Sequence, residues 1–210
     1  MANINTTVFE SQAQEYDSWF DNHPELFQNE CRALKKAIPG GIGIEIGVGT
    51  GRFAEALKIP VGAESAQAMA QMAIARGIIV IRSKAEELPL HSLSFDYAVM
   101  ITTDCFLDNT AKAFSETHRI IKKDGFFIVA MIDKEGELGK QYEKKKATSI
   151  WYKDAHFHSV QEITDQLQLA GFTNFEYWQT LFTDKEELTD PLPGFGKGGF
   201  VVICSQKNLR

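Results

Sequence analysis

Residues 43–53 read GIEIGVGTGRF, with glycines at 47, 49 and 51 between an Ile-rich run and a stretch of helical spacing. Glycine at alternate positions lets a backbone turn sharply and lets another molecule reach the main chain without side chains in between. A chain with this segment is committed to a strand, a tight turn and a helix, in that order. The spacing also sorts ligands. The dinucleotide fingerprint GxGxxG needs glycine at its sixth position, and here that position holds Arg52. A GxxxxGK[ST] phosphate loop does not occur. The turn therefore points away from a pyrophosphate.

The same alternation continues down the chain. Apolar runs at 42–46, 61–64, 78–81, 97–101 and 126–132 are rich in Ile and Val and predict strands. Helical spacing at 52–58, 66–76 and 110–122 fills the gaps, with Asp124-Gly125 as the last stop signal. Strands alternating with helices predict a doubly wound α/β fold with helices on both faces of a parallel sheet. Residues 6–38, anchored by Phe9, Tyr16, Trp19, Phe20 and Phe27, predict a helical lid ahead of a ligand-binding core at 40–132. Residues 133–158 are too long for an ordinary connection and predict a segment that covers the acceptor site. Within 159–206, Ser159 and Glu162 predict a capping box opening a helix to Ala170, followed by strands at 172–182 and 199–204. GFGKGG at 194–199 precedes a strand, not a helix, and reads as a hairpin link. The 210 residues are expected to form one domain.

Composition narrows the partners. With 44% hydrophobic and 24% charged residues the chain is globular, and its net charge of −6 disfavours a nucleic-acid partner. The longest apolar run, 126–132, is far below the roughly 20 residues of a membrane span. The opening MANINTTVFESQ lacks a basic or apolar leader, and Cys31, Cys105 and Cys204 suit isolated thiols. These features predict a cytoplasmic protein without membrane partners, a monomer or homodimer.

Two acids bracket the glycine turn. Glu45 lies among Ile42, Ile44 and Ile46, where a bare carboxylate needs a partner in the loop backbone or in a cationic ligand. Glu64 ends the second strand, near the roughly 20-residue offset at which an acid grips ribose hydroxyls. Together they predict a nucleoside with a positively charged amino-acid tail.

ExGxGxG at 45–51, GAES at 62–65, AEELPL at 85–90, FDYAVM at 95–100 and HRIIKKDGFFIVAMID at 118–133 follow in an order that resembles class I S-adenosylmethionine-dependent methyltransferases. EYDSWF at 15–20 and FHSVQEITDQLQLAGF at 157–172 are similar to the small-molecule branch that includes ubiquinone and menaquinone methyltransferases. The resemblance implies a seven-stranded Rossmann-like sheet with an antiparallel last strand, and S-adenosyl-L-methionine as cofactor. It implies that Gly47, Gly49 and Gly51 cradle the methionine part, that Glu45 anchors its ammonium, and that Glu64 takes the ribose hydroxyls. Ser65 and Met69 would border the adenine, Ala85 and Glu86 would meet its edge, Thr102 would offer backbone near the methionine, and Tyr16 would close the pocket. Lys84 stands where the family usually has an Asp.

Methyl transfer needs alignment and exclusion of water, with a general base only where the acceptor sheds a proton. Trp19, Phe106, Trp151 and Tyr152 are the expected walls of the acceptor pocket, and Asp104 and Tyr16 are the candidates for catalysis, Asp104 having the alternative of a loop cap. Asp154, His156 and His158 alternate along one segment, but no further ligand cluster supports them, and no metal is expected. The fourth strand ends in ITTDCF, without the (D/N)PP(Y/F) or Pro-Cys signatures of DNA-base methylation, which favours a small-molecule acceptor. The alternatives are a protein that binds the nucleoside without turnover and a nicotinamide-dependent oxidoreductase.

Overall fold

Burial is nearly continuous along FDYAVMI and FFIVAMI, while successive side chains of each strand point to opposite sides of the sheet, so both sides are covered. Tyr97, Val99, Ile101, Ile128 and Ala130 join one core layer, and Ala98, Met100, Phe127, Val129 and Met131 join the other. Two apolar faces require two layers of helices. The computed structural model describes residues 4–182 and 186–208. It contains one sheet of strands β1 (Gly43–Ile46), β2 (Val61–Glu64), β3 (Ile79–Arg82), β4 (Phe95–Ile101), β5 (Ile121–Ile132), β6 (Phe172–Thr180), β7 (Leu192–Pro193) and β8 (Phe200–Lys207). Their order is β3-β2-β1-β4-β5-β8-β6-β7. The first five are mutually parallel, and β8 runs antiparallel to both β5 and β6.

Helices α1 (Ile4–Ser11), α2 (Ala13–Asn22) and α3 (Pro24–Ala37) precede the sheet. With α4 (Arg52–Leu57) and α5 (Gln67–Ala75) they lie on the face of Phe20, Leu34, Phe53 and Ala73. On the other face, α6 (Thr110–Ile120) and α8 (Val160–Leu169) contribute Phe114, Ile120, Ile163 and Leu167. Ser159 and Glu162 form the predicted capping box. Among the described residues no helix is long and apolar enough to cross a membrane.

The doubly wound α/β fold with an antiparallel final strand is present, with three differences of detail. The sheet has eight strands, not seven, because the link after β6 folds back and Leu192 and Pro193 pair with Gln179 and Trp178. That link is further held by Gln179 Oε1, which accepts from the amides of Lys197 and Gly198, each at 2.8 Å. The helix expected over 110–122 stops at Ile120, since Ile121 pairs with Phe95 and Asp124 turns to a φ of +59°. Residues 133–158 are not an open connection. They carry α7 (Glu137–Lys145) and a 3-10 turn at Lys146–Thr148.

Strand order reverses between β1 and β4, which leaves a crevice beyond their carboxyl ends. The lid over that crevice is tied down by charge. Arg52 donates from Nε and Nη2 to the Asp17 carboxylate at 3.0 and 2.6 Å, and from Nη1 and Nη2 to Asp21 at 2.8 and 2.7 Å. Arg76, just after α5, donates to the same Asp17 oxygen at 2.9 Å and to the Thr50 carbonyl at 2.9 Å. Burial pushes the Asp17 carboxyl up, but hydrogen bonds and the two guanidinium charges outweigh it and hold the group below the usual range. Asp17 is only 3% exposed, so removing it strands two partly buried cations. Asp17→Ala is expected to lose about 3 kcal/mol of stability in urea unfolding at neutral pH.

Candidate active site

The turn after β1 lies at the crevice, and its three glycines do different things. Gly47 has a φ of +77° and packs against the Thr103 side chain. Gly51 has a φ of +86°, and a Cβ there would sit 2.9 Å from the Cα of Ala73, so this glycine serves the packing of the turn against α5. Gly49, at +53°, has only the Tyr16 ring near its open side, at 3.9 Å. Its amide donates to Glu64 Oε2 at 2.9 Å, while the Ala66 amide donates to Oε1 at 2.7 Å. Gly47 and Val48 also donate to the Ala63 carbonyl at 2.9 and 3.0 Å. Glu64 thus fastens the glycine turn to the turn after β2.

These residues form the floor of a cavity of about 140 Å³. Tyr16, Gly47, Gly49, Glu64, Ser65, Met69, Ala85, Glu86 and Thr102 all line it. Glu45 and Gly51 do not line it. Glu45 lies within β1, 2% exposed, and Gly51 faces α5. Glu86 is turned to another task as well, since its Oε1 accepts from the amides of Asp108 and Asn109 at 2.9 and 3.2 Å. Lys84, in the place of the family's Asp, pairs with Asp108 at 2.9 Å, and both residues line the cavity.

A second cavity of about 810 Å³ adjoins the first. Tyr16, Thr102, Trp151 and Tyr152 line both. Thr102 holds a φ of +47°, unusual for a β-branched residue, and its amide donates to the Ala130 carbonyl at 2.7 Å. The partition between the cavities is aromatic. Tyr16 meets Trp151 edge-on at 5.7 Å between centroids, Phe9 meets Phe106 at 5.1 Å, and Phe106 stacks on Tyr152 at 6.0 Å. Of the expected acceptor walls, Trp19, Trp151 and Tyr152 line the second cavity, whereas Phe106 lines only the first.

Asp104 lines neither cavity. It is 3% exposed, and its Oδ2 faces His158 Nδ1 at 3.2 Å, while the His156 amide donates to the Cys105 carbonyl at 2.7 Å. The Asp104 carboxylate therefore fastens the 155–158 segment, as a buried version of the loop-bracing alternative. Tyr16 remains at the junction, its phenol pushed well up by burial and then by the charges of Glu30, Glu45 and Glu64.

Glu30 belongs to no sequence motif. It lies on α3 on the stripe of Phe27, Cys31, Leu34 and Ala37, a spacing that puts an acid on an apolar face and was the available signal. Glu30 is 6% exposed and lines the second cavity. Burial alone pushes its carboxyl up to about 8. Phe9, Ser83 and Asp108 in the first cavity and Tyr142 in the second were also not expected. Glu45 is raised well above the ordinary range by burial and by the Glu64 charge, against the pull of the Ala54 amide, and its Oε2 has no partner. Burial likewise raises Glu64, opposed by the amides of Ala66, Gly49 and Ser65 and by the Arg82 charge.

Comparison with known proteins agrees with this geometry. A family model described as a methyltransferase domain matches residues 44–129. A crystal structure of an S-adenosylmethionine-dependent methyltransferase from Thermotoga maritima, described as a possible histamine N-methyltransferase, is 43% identical. It covers 97% of this chain and 100% of its own, with a TM-score of 0.95. An uncharacterised protein of Methanocaldococcus jannaschii is 43% identical across 95% of this chain and 98% of its own length. An uncharacterised Mycobacterium tuberculosis protein is 30% identical over 165 residues, where the match spans 58% of that longer protein.

Gly51→Ala is expected to lose about 3 kcal/mol in denaturant unfolding, through a left-handed alanine and crowding against Ala73, and Gly49→Ala about 1 kcal/mol through conformation alone. Because the folded value of Glu30 exceeds its ordinary 4.5, the protonated form favours folding. That contribution is full below about pH 4.5 and is lost as pH climbs through about 8. Glu30→Gln should therefore melt increasingly above the wild type from about pH 5 to about pH 8 and then hold its margin.

Proposed function

Because the chain belongs to the S-adenosylmethionine-dependent methyltransferases, we propose that it moves a methyl group from S-adenosylmethionine, held in the first cavity, to a small-molecule acceptor in the second. The observation that carries this reading is the junction of the two cavities at Tyr16, Thr102, Trp151 and Tyr152. A donor and an acceptor seated on either side of such a junction meet end to end, the alignment that an in-line transfer needs.

The chain's own groups fit the cofactor. Glu64 has both oxygens held by backbone amides, which fixes its orientation and leaves lone pairs to accept from ribose hydroxyls. Ser83 Oγ is buried at the cavity wall without a partner, and Gly49 offers an open backbone face. Ser65, Met69 and Ala85 would border the adenine, and Lys84 with Asp108 would present both a donor and an acceptor to its edge. When bound, the cofactor supplies a methyl group on positively charged sulfur. Tyr16, Trp151 and Tyr152 would face that charge with ring surfaces and keep water from the reacting centre.

Glu45 would act through the loop, since it does not reach the cavity. The motifs at 15–20 and 157–172 support kinship with the ubiquinone and menaquinone methyltransferases in scaffold, and the acceptor is set by what lines the second cavity. The net charge of −6 supports a small molecule over a nucleic acid.

Calorimetric titration with S-adenosylhomocysteine, NAD and ATP tests the assignment. Binding of S-adenosylhomocysteine alone is expected, and binding of NAD alone would overturn it. Glu64→Ala should weaken S-adenosylhomocysteine at least about tenfold, as loss of hydrogen bonds to a charged group predicts, and unchanged affinity would remove the ribose role.

A further inference from the structure

We propose that the second cavity takes an amine as the methyl acceptor, with Glu30 as the catalytic residue that binds the ammonium group and removes its proton. The inference rests on the methyltransferase reading above and names the acceptor class for the same site.

The second cavity holds an unmatched acid. Glu30 projects from α3, is 6% exposed, and lines the cavity. Among the described residues no hydrogen bond or ion pair reaches its carboxylate. Asn29, its neighbour on the helix, shows what a structural polar group looks like here. The Asn29 side chain donates to the Glu187 carbonyl at 2.7 Å and accepts from the Thr189 amide at 2.8 Å. Cysteine or leucine at position 30 would continue the apolar stripe and cost nothing in desolvation. An acid kept there without a partner in the fold has its partner in a ligand.

The surroundings say which ligand. Tyr16, Trp19, Phe20, Phe53, Tyr142 and Tyr152 all contribute to the same cavity. The Glu30 charge acts on the phenols of Tyr16, Tyr142 and Tyr152, raising each beyond what burial does. Lys145 and Lys197 line the cavity but do not pair with Glu30. One carboxylate among aromatic faces is a receptor for a cation with an organic body, since ring faces attract positive charge and the acid supplies a directed hydrogen bond. A carboxylate-bearing or phosphate-bearing acceptor would meet repulsion at the same point.

An ammonium cannot attack a methyl group, because its nitrogen has no free electron pair. One proton must pass from nitrogen to a Glu30 carboxylate oxygen, leaving a neutral amine and a neutral acid, with no other atom exchanged. A carboxyl whose proton affinity burial has brought near neutrality is suited to that exchange, where an exposed glutamate is not.

The test uses the full chain saturated with S-adenosylhomocysteine. Butylamine, 2-phenylethylamine and tryptamine are titrated by calorimetry, each beside the alcohol of the same skeleton. The expected result is that at least one amine binds about tenfold or more tighter than its alcohol, and that Glu30→Gln removes this margin while affinity for the alcohol and for S-adenosylhomocysteine stays within about threefold. Glu30→Asp, which keeps the charge, should retain part of the margin. Equal binding of amine and alcohol, a margin that survives Glu30→Gln, or no amine binding at all overturns the proposal. Failure of S-adenosylhomocysteine to bind overturns the methyltransferase reading instead, so the two failures are distinct.

Discussion

The carboxylate of Glu64, fixed between the amides of Gly49 and Ala66, is the contact on which the site's geometry depends. It joins the turns that follow two neighbouring parallel strands, and it does so at the crevice where strand order reverses. Gly51 lets the glycine turn press on α5, and Gly47 lets it press on Thr103. With both sides of the turn fixed by packing, the open face of Gly49 is left toward the cavity. The same arrangement places Tyr16 above that face, because Asp17, the next residue, is held by Arg52 and Arg76.

Arg52 shows how far a sequence can be read and where reading stops. Its presence at the sixth position of the glycine motif separates this turn from the dinucleotide pattern, and that much is local. Its purpose is not local, since the guanidinium reaches Asp17 and Asp21, more than 30 positions earlier. The strands and most helices were legible from periodicity alone. The site floor was legible because glycines, Glu64 and the strand ends follow one another in a fixed order. The lid was legible as helix but not as a docked surface, and so Phe9 was read as an anchor and not as cavity lining. Glu30 was hidden for the same reason. In PELFQNECRALKK it is one acid among several polar residues, and only the docking of α3 turns it inward. Asp104 took the second of its two expected roles. Its place after β4 suggested a base, but its partner His158 lies 54 positions away and holds it against a structural segment.

The distribution of charge is uneven in a way that matters for function. Arg52 and Arg76 are engaged with Asp17, Asp21 and Glu55 outside the cavities, and Lys84 is engaged with Asp108 at the rim of the first. Glu64 in the first cavity, Glu30 in the second and Glu45 within β1 are all raised by burial, and Glu45 is raised further by Glu64. A fold optimised only for stability would not hold three such acids beside one crevice, because each resists ionisation there. The arrangement keeps acids that gain a favourable partner on ionising at the place where a positively charged donor would be received.

That potential also bears on the acceptor. If both the donor and an ammonium acceptor occupy adjoining cavities, two cations face each other across Tyr16 and Thr102 in a setting of low polarity. Their repulsion falls away once the acceptor nitrogen becomes neutral, and the same change frees the electron pair that the reaction uses. A base in the second cavity therefore does two things with one proton. A strongly acidic carboxyl would hold the ammonium but leave it charged, and an apolar residue would admit the amine without orienting it. An acid buried among tyrosines lies between these extremes. The cost of holding Glu30 without a partner is borne by the fold so that the charge meets its counterpart only when an acceptor arrives.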